Sequence, residues 1–347
     1  MNPPETGIRP AIPTTMTSVL RREYGGVDRI RLSSVPVPVP GEREVLVAVR
    51  AAGIDRGTVH VLTGLPWLYR LVGGLQRPRR PVLGLDVSGV VVAVGAGATR
   101  FRVGDPVFGY APGALAEYAA APEAKLAPLP PGLSFRAAAV LPVSGTTALQ
   151  ALEKGRAAAG DRVLVTGASG GVGSYAVQLA AGMGCQVAAV CSGAKADFVH
   201  GLGARDVLDY RTEDPWDGSR TYDLVIDIAG RPSVNQLRRA LAPTGRVVMV
   251  GGEGGGDFSG GMGRSLRAVA RSAAGRQRFT MMLAEEGRAD LERLAGLVVD
   301  GGLVAPIGLE VPLEEAVRAI GELEAGRVTG KAVVVVGDTP EPREHAG

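Results

Sequence analysis

The chain has little cysteine, and the shortage restricts what it can be. Its two cysteines, Cys185 and Cys191, stand at the ends of one predicted strand. Six residues at about 3.3 Å each separate them by roughly 20 Å, which is several times disulfide reach. A disulfide framework and a cysteine-based structural metal cluster are therefore excluded, and a reducing compartment is expected.

Long apolar runs and a strong net charge are also missing. No stretch of about 18 apolar residues is free of charges or helix breakers, and the first residues, Met-Asn-Pro-Pro-Glu, lack the basic and apolar regions of a signal peptide. A formal net charge of +3 is too small to imply an anionic partner. We therefore expect a cytoplasmic protein with no nucleic-acid partner and no membrane partner.

Length and composition predict two domains. The chain has 347 residues, of which 46% are hydrophobic, enough for two cores. Residues 16–140 predict short β-strands, and residues 141–295 alternate strands with helices. Residues 296–347 are too few for a third domain, so we expect them to return to the first one. The predicted fold class is α/β.

The most informative segment is the glycine-rich stretch Val163-Leu-Val-Thr-Gly-Ala-Ser-Gly-Gly-Val-Gly-Ser174. An apolar strand leads directly into the glycines and then into an amphipathic helix, which is the unit that holds a dinucleotide pyrophosphate on helix N–H groups. An ordinary tight turn is the alternative. The residues predicted to contact the cofactor here are Ser169, Gly170, Gly171, Val172 and Gly173.

The residues after the second strand select the form of the cofactor. Sites for NAD place an acid about 20 residues beyond the glycines to bind the ribose 2′-hydroxyl, but here the chain reads Cys191-Ser-Gly-Ala-Lys195. Ser192 and Lys195 are suited to bind a 2′-phosphate, and Tyr210 follows the third strand near the expected ribose. These residues predict NADPH. Alternatively, Lys195 is a solvated residue at a helix start and Tyr210 a packing residue.

Several motifs together resemble a known family across nearly the whole chain. They are Ala51-Ala-Gly-Ile-Asp-Arg-Gly57, Pro81-Val-Leu-Gly-Leu-Asp-Val-Ser-Gly89, Phe101-Arg-Val-Gly-Asp-Pro-Val-Phe-Gly109, Ala116-Glu-Tyr118, Gly145-Thr-Thr-Ala148, the glycine turn and Gly330-Lys331. Their order and spacing resemble the medium-chain dehydrogenase/reductase superfamily, in its zinc-independent quinone oxidoreductase-like branch. The resemblance implies a GroES-like β-rich catalytic domain, a Rossmann doubly wound nucleotide-binding domain and an active site between them.

The resemblance also indicates whether the chain has the ligands of a zinc site. Zinc-dependent members would place a Cys near position 55 and a His-Glu pair at positions 85 and 86, whereas this chain has Asp55, Leu85 and Asp86. Leucine cannot bind zinc, and two carboxylates alone are a poor zinc site. Of the three histidines, only His60 is expected near the cleft. We therefore predict no metal.

Without zinc, the family chemistry favours hydride transfer to an acceptor that is already electron-poor. The resemblance makes Asp55 and His60 the catalytic candidates. Asp55 either stays protonated and donates a hydrogen bond, or it bonds a hydroxyl group of the ribose. His60 either delivers a proton to the substrate, or its ring is hydrogen-bonded to nearby protein groups and has no catalytic role. Lys331 either approaches the cofactor or is a solvated residue at a strand start. The family positions expected near the nicotinamide, each alternatively a plain turn residue, are Thr147, Gly230, Val250, Gly251 and Gly252.

A basic stretch near position 265 has no assigned role. Arg264, Arg267 and Arg271 follow helical spacing on one face. The simplest interpretation is a solvated face with Leu266, Val269 and Ala270 turned inward; an anionic substrate, a partner subunit or nucleic acid are the alternatives.

The sequence thus predicts an NADPH-dependent, zinc-independent reductase of quinones or activated C=C bonds. The alternatives are a carbonyl or alcohol oxidoreductase of the same fold and a non-catalytic NADPH-binding protein of the crystallin-like or RNA-binding type. Family members commonly pair at the sheet edge of the nucleotide domain. We therefore expect a homodimer, with the strand at Arg246–Val250 at its edge.

Overall fold

A computed structural model describes residues 12–251, 256, 258, 260–272 and 275–337 of the chain. The first part is rich in strands, as its short alternating apolar segments predict. Its strands and helices are β1 (Thr15–Arg21), β2 (Ile30–Pro36), β3 (Glu44–Ile54), α1 (Arg56–Thr63), α2 (Arg70–Gly73), β4 (Asp86–Val94), β5 (Pro106–Tyr110), β6 (Tyr118–Pro122), β7 (Leu126–Pro128) and α3 (Phe135–Ala139).

The middle of the chain alternates helices and strands. Its elements are α4 (Pro142–Lys154), β8 (Arg162–Thr166), α5 (Gly171–Gly182), β9 (Gln186–Cys191), α6 (Ala196–Gly201), β10 (Asp206–Asp209), β11 (Tyr222–Asp227), α7 (Val234–Arg239), β12 (Leu241–Met249), α8 (Met262–Ser272), β13 (Arg278–Met281) and α9 (Arg288–Val299). The chain then continues with β14 (Ile307–Pro312), α10 (Ala316–Glu324) and β15 (Lys331–Val335).

Strands of the middle segment form a parallel sheet with the order β10-β9-β8-β11-β12-β13. The chain builds outward from β8 in one direction and then crosses back to build in the other. In such doubly wound sheets the ligand lies at the carboxyl ends of the strands where this reversal occurs, here β8 and β11. The predicted α/β class with a Rossmann domain is confirmed.

The last two strands join the sheet of the first part. Strand β15 pairs antiparallel with β3, through Ala332 opposite Ile54, and β14 pairs with β15. Within the described residues the order of this sheet is β14-β15-β3-β4-β5-β7, with β6 also paired to β3. Strands β14 and β15 therefore pack on the β-rich half, and the start of β15 lies where the two halves meet.

The strand chosen from the sequence as the sheet edge is wrong. Strand β12 begins at Leu241, earlier than the predicted Arg246, and pairs on one side with β11 and on the other with β13. Both of its edges are occupied, so it cannot pair with another subunit. The edge strand next to β12 is β13, and β10 is the edge strand on the opposite side. Strand β13 begins with a polar residue, Arg278, so the apolar pattern of the sequence did not indicate it.

Candidate active site

The glycine turn has the geometry that a pyrophosphate needs. Strand β8 ends at Thr166 and α5 begins at Gly171, with Gly170 as its N-cap and no side-chain cap from a described residue. A Cβ on Gly173 would lie 2.2 Å from the carbonyl oxygen of Gly167, so this close helix-to-turn packing requires glycine. A Cβ on Gly170 would meet only that same oxygen, at 3.4 Å. The backbone beside Gly170 is open to a ligand.

Ser144, which sequence reasoning missed, also faces this turn. Its Oγ is buried and has no hydrogen-bond partner among the described residues. The same atom lies 2.9 Å from the position that a Cβ on Gly171 would take, so the hydroxyl points at the start of α5. A buried hydroxyl without a partner costs free energy unless a ligand satisfies it. Ser144 and the open helix start therefore fit a bound pyrophosphate.

A buried ammonium joins two carboxylates next to this helix start. Lys331 is 1% exposed, and its Nζ lies 3.1 Å from Oδ2 of Asp86 and 3.6 Å from Oδ2 of Asp55. The neighbouring residue Gly330 donates its N–H to the carbonyl of Ser169 at 2.8 Å. The interpretation of Lys331 as a solvated strand start is therefore wrong, because β15 is held against the glycine turn and the side chain lies within the protein.

Asp86 holds the two halves of the site together. Its Oδ1 accepts the N–H of Val143, at the start of α4, at 3.0 Å, while its Oδ2 faces Lys331. Burial raises the pKa of Asp86 to about 7, against the opposing effect of Lys331. A carboxyl group that is half protonated near neutral pH thus lies between the β-rich half and the helix that carries Ser144 and Thr147.

The same geometry does not fit zinc. The ammonium of Lys331 occupies the space between the two carboxylates that would have to bind the metal, and their other oxygens accept backbone N–H groups from Val143 and Thr58. Among the residues that the structure describes, no group of three or more His, Cys, Asp or Glu side chains could hold a metal ion.

The two catalytic candidates lie on one short helix. Asp55 is the N-cap of α1 and accepts the N–H of Thr58 at 3.1 Å. His60 lies one turn further on, with its Nδ1 3.1 Å from the carbonyl oxygen of Leu65. Because a carbonyl only accepts, Nδ1 carries the proton in this contact. The two oxygens of Asp55 face the N–H of Thr58 and the ammonium of Lys331, an arrangement that suits a positioning role.

Beyond the carboxyl end of the neighbouring strand β9, Lys195 is already hydrogen-bonded. Its ammonium donates to the carbonyl oxygens of Gly326 and Val328 at 3.0 and 2.8 Å, and burial lowers its pKa. An ammonium has three donors, so one remains for a ligand. Ser192 precedes the 3-10 turn that contains Lys195, and Tyr210 is 53% exposed beside Arg211.

An acidic side chain that the sequence pattern did not indicate, Asp209, also lies near Ser192 and Lys195. A Cβ on Gly193 would lie 2.5 Å from Oδ2 of Asp209, the last residue of β10. This carboxylate comes from the neighbouring strand rather than from the loop after β9, so its distance in sequence concealed it. The region expected to hold the adenine ribose therefore contains both a cation and an anion.

The loops expected around the nicotinamide are organised by Asp227, the buried last residue of β11. Its Oδ1 accepts from Thr166 Oγ1 and from the N–H of Gly230, and its backbone carbonyl accepts from Val250 and Gly251. Thr147 Oγ1 donates to the carbonyl of Val143 at 2.6 Å, within α4. Gly252 lies outside the described residues. The structure thus brings these loops together at one residue, with Gly230 at the carboxylate of Asp227 and Val250 and Gly251 at its backbone carbonyl.

Arg264 completes this cluster, and it is not part of a solvated face. Its Nη2 lies 2.7 Å from Oδ2 of Asp227, and its Nη1 donates to the carbonyl of Pro232. The prediction that Leu266 and Val269 turn inward is wrong as well, because these side chains are 58% and 39% exposed. The helix is rotated because its buried face carries Ser265 and Ala268 and one ion-paired arginine. The side chain of Arg271 lies outside the described residues.

Comparison with known proteins agrees with this geometry. The family profile described as "Alcohol dehydrogenase GroES-like domain" matches residues 41–131, and the one described as "Zinc-binding dehydrogenase" matches residues 202–334. The chloroplast envelope quinone oxidoreductase homolog of Arabidopsis thaliana is 31% identical, over 89% of this chain and 95% of that protein.

Solved structures give the same result. The quinone oxidoreductase from Coxiella burnetii has a TM-score of 0.83 at 30% identity and covers 93% of this chain and 100% of its own. A mycobacterial protein solved with NADPH has a TM-score of 0.77 at 26% identity, over 92% of this chain and 100% of its own. The chain belongs to the medium-chain dehydrogenase/reductase superfamily, in its quinone oxidoreductase-like branch. It is an oxidoreductase that uses a nicotinamide cofactor.

No helix among the described residues is long and apolar enough to span a membrane.

Proposed function

We propose that the protein is an NADPH-dependent reductase that acts without zinc on quinones or activated C=C bonds. The observation that carries the proposal is the position of Lys331, whose ammonium replaces a metal ion between Asp55 and Asp86. Without a Lewis acid to acidify an alcohol or polarise a carbonyl, the favoured substrates are acceptors that are already electron-poor. Quinones and enones are such acceptors.

The nicotinamide supplies a hydride, and the protein supplies position and a proton. The open start of α5 and the hydroxyl of Ser144 hold the pyrophosphate, while Gly230, Val250 and Gly251 border the nicotinamide. Asp86 and Lys331 fix α4 and the glycine turn against the β-rich half. His60 is the proposed proton source for the quinol oxygen or for the enolate carbon, and Asp55 positions α1 and Lys331.

The choice of NADPH rests on Ser192, Lys195 and Tyr210. The third donor of Lys195 reaches a 2′-phosphate in this proposal, and the two carbonyls of Gly326 and Val328 hold the ammonium in place. Asp209 is the structural feature that would favour NADH instead, because a carboxylate repels a phosphate and accepts from a 2′-hydroxyl. Relative affinities for the two cofactors decide between them.

We also propose that the protein is a homodimer in the cytoplasm, paired through β13. Met282 donates its N–H to Met249 of β12, so the alternate N–H of Met281 points to the open edge. Met281→Pro removes that outward donor and should convert a dimer to a monomer in analytical ultracentrifugation, whereas Met281→Ala should not. A wild-type monomer at micromolar concentration would contradict the proposal.

A panel of acceptors tests the reaction. NADPH oxidation is followed with a benzoquinone, an enone and an aldehyde of similar size, and products are identified. Turnover of the quinone or of the C=C bond, with little turnover of the aldehyde, is expected. Reduction of the aldehyde to an alcohol would establish the carbonyl reductase alternative, and NADPH binding without turnover of any acceptor would indicate a non-catalytic role.

A further inference from the structure

Arg21, the last residue of β1, has a buried guanidinium group whose hydrogen-bonding capacity is largely unused. The residue is 2% exposed, and neither its Nε nor its Nη1 meets an acceptor among the described residues. These two nitrogens carry three of the five N–H groups of a guanidinium. A buried charge is strongly unfavourable unless an opposite charge and hydrogen bonds compensate it. Arg21 therefore lacks the acceptors that its burial requires.

The groups around Arg21 do not supply this compensation. Its guanidinium carbon lies 5.2 Å from the centroid of the Tyr24 ring, a cation–π contact that is weaker than the cost of burying an unpaired charge. Burial lowers the pKa of Arg21, and the groups that oppose this effect are the phenols of Tyr69 and Tyr24, with no carboxylate of the described chain beside them. The acid nearest in sequence, Glu23, is ion-paired with Arg29 at 2.6 Å.

Two further arginines lie around the same tyrosine. The guanidinium carbon of Arg70 is 4.5 Å from the centroid of the Tyr24 ring. Burial raises the pKa of Tyr24, while the charges of Arg21, Arg70 and Arg79 act to lower it. Arg70 and Arg79 both donate to backbone carbonyls of the segment at the end of α1 and after it, whereas Arg21 has no such acceptor. We call the set of Arg21, Arg70, Arg79, Tyr24 and Tyr69 the arginine cluster.

The arginine cluster reaches from the surface to the interior. Arg79 is exposed, Arg70 and the two tyrosines are half-buried, and Arg21 is buried. The hydroxyl of Tyr24 donates to the carbonyl of Gly74 at 2.7 Å, which fixes the ring beside which the guanidinium groups lie. Cations at the outer end of such a cluster attract an anion toward the buried one.

The cluster also borders the helix that carries the proposed proton source. The N–H of Gly25, in the turn after β1, donates to the carbonyl of Leu62 at 3.3 Å. Nη2 of Arg70 donates to the carbonyl of Thr63, the last residue of α1, at 3.3 Å. His60 lies on the last turn of the same helix. A group bound by the arginine cluster is therefore adjacent to the end of α1.

We propose that the arginine cluster binds a carboxylate group, and that this group belongs to the substrate. One buried charge, that of Arg21, is uncompensated, and a monoanion balances it, whereas a phosphate dianion would bury a second charge. Carboxylate oxygens accept strong, charge-assisted hydrogen bonds from a guanidinium. The assignment to the substrate rests on the proposed function and specifies an enone or quinone that carries a carboxylate. The carboxylate site itself does not depend on the reaction.

Calorimetric titration tests the site on the full chain without cofactor. Benzoate is the probe, and benzamide, which has the same shape without the charge, is the matched control, in a buffer of low chloride. We expect benzoate to bind and benzamide to bind at least 10-fold more weakly. Arg21→Met should weaken benzoate binding by roughly 10- to 100-fold, whereas Arg22→Met, at the exposed neighbouring position, should leave it unchanged. Absence of benzoate binding, or equal binding by Arg21→Met, would overturn the proposal.

Folding of the variants is checked by melting temperature. Arg21→Met removes an unpaired buried charge, so the ligand-free variant should melt at the same temperature as the wild type or higher. Arg79→Gln, at an exposed position, tests the same site without a change in the core and should weaken benzoate binding several-fold. Arg80→Gln, exposed at the next position, is its control and should not. Equal effects of Arg79→Gln and Arg80→Gln would contradict a site formed by the cluster.

Turnover distinguishes a carboxylate on the substrate from a free one. Benzylideneacetone with a para-carboxylate on its ring is compared with the methyl ester of the same compound. The wild type should show at least 10-fold higher kcat/KM for the acid, Arg21→Met should lose this preference, and benzoate should compete with the ester. Benzoate binding without competition or preference would overturn the assignment to the substrate and identify a site for a free carboxylate. Benzoate binding without turnover of either ketone or of a quinone would contradict the proposed function and leave the carboxylate site established.

Discussion

The ammonium of Lys331 lies 3.1 Å from Oδ2 of Asp86, across 245 residues of sequence, and both side chains are buried. This contact joins β15 to β4 directly beneath the start of α5. It therefore connects the β-rich half, the glycine turn and the helix that carries Ser144. Replacing Lys331 would leave the carboxyl group of Asp86 buried without its partner, and removal of one member of a buried pair is strongly destabilising.

The first prediction concerns the pH dependence of stability. The pKa of Asp86 is raised from 3.8 to about 7, so between these values the folded protein holds a proton that the unfolded chain has released. The contribution of Asp86 to the free energy of unfolding is complete below pH 4 and is lost as pH rises toward 7. Asp86→Asn removes this dependence. The free energy of unfolding of the variant, minus that of the wild type, should rise from pH 4 to pH 7 and level off above it.

Chemical denaturation at fixed pH steps measures this difference, and Asp300→Asn, at an exposed position directly after α9, serves as the control. A difference that stays constant through the window would contradict the assignment of a neutral Asp86.

The second prediction concerns Lys195. Lys195→Ala should weaken NADPH binding by about 1–3 kcal/mol, or roughly 5- to 150-fold, because a hydrogen bond to a charged phosphate is lost. NADH affinity should change little. Isothermal titration with both cofactors tests this, and an equal loss for both would show that Lys195 only ties the nucleotide segment to Gly326 and Val328.

The third prediction concerns the loops around the nicotinamide. Arg264→Met leaves the carboxylate of Asp227 buried and unpaired, so unfolding should become easier by about 3–5 kcal/mol. Arg267 is exposed on the same helix. Arg267→Met should therefore change the free energy of unfolding by no more than about 0.5 kcal/mol. Adding Asp227→Asn to Arg264→Met should recover part of the loss. Equal, small effects of both arginine substitutions would contradict the buried pair.

The fourth prediction separates His60 from Asp55. His60→Gln keeps a donor for the carbonyl of Leu65 but cannot transfer a proton, so kcat should fall by roughly 100-fold with NADPH affinity unchanged. Asp55→Asn keeps the N-cap acceptor, so kcat should change only a few-fold while cofactor affinity falls. If His60→Gln keeps normal turnover with a quinone and with an enone, the proton comes from water.

Patterns of neighbouring residues in the sequence were sufficient to predict the elements that consecutive residues form. The glycine turn, its strand and its helix occupy consecutive residues, so spacing alone predicts Gly170 and Gly173 and their roles in the turn. The bounds of β9 agree within one residue with the strand predicted between Cys185 and Cys191. The family motifs extended this to the two-domain architecture, and the small size of the last segment predicted the return of the last strands to the first part.

Contacts between distant residues could not be predicted in the same way. No local pattern places Asp209 beside Gly193, Lys331 beside Asp86, or the hydroxyl of Ser144 at the start of α5. The error on α8 has the same origin. Helical spacing shows that Arg264 and Arg267 are near one another, but only the position of Asp227 determines that Arg264 is buried and Leu266 exposed. The edge strand β13 depends on strand order, which adjacent residues do not encode.

Activity and metal content measured on the same sample test the central claim most directly. Protein purified without added metal is treated with a strong chelator, its zinc is quantified, and NADPH oxidation is followed with a benzoquinone and with an enone. The account predicts far less than one zinc per chain, full activity after chelation and a quinol or saturated ketone as product. One tightly bound zinc per chain whose removal abolishes turnover would contradict the account, because Lys331 would then not occupy the metal position.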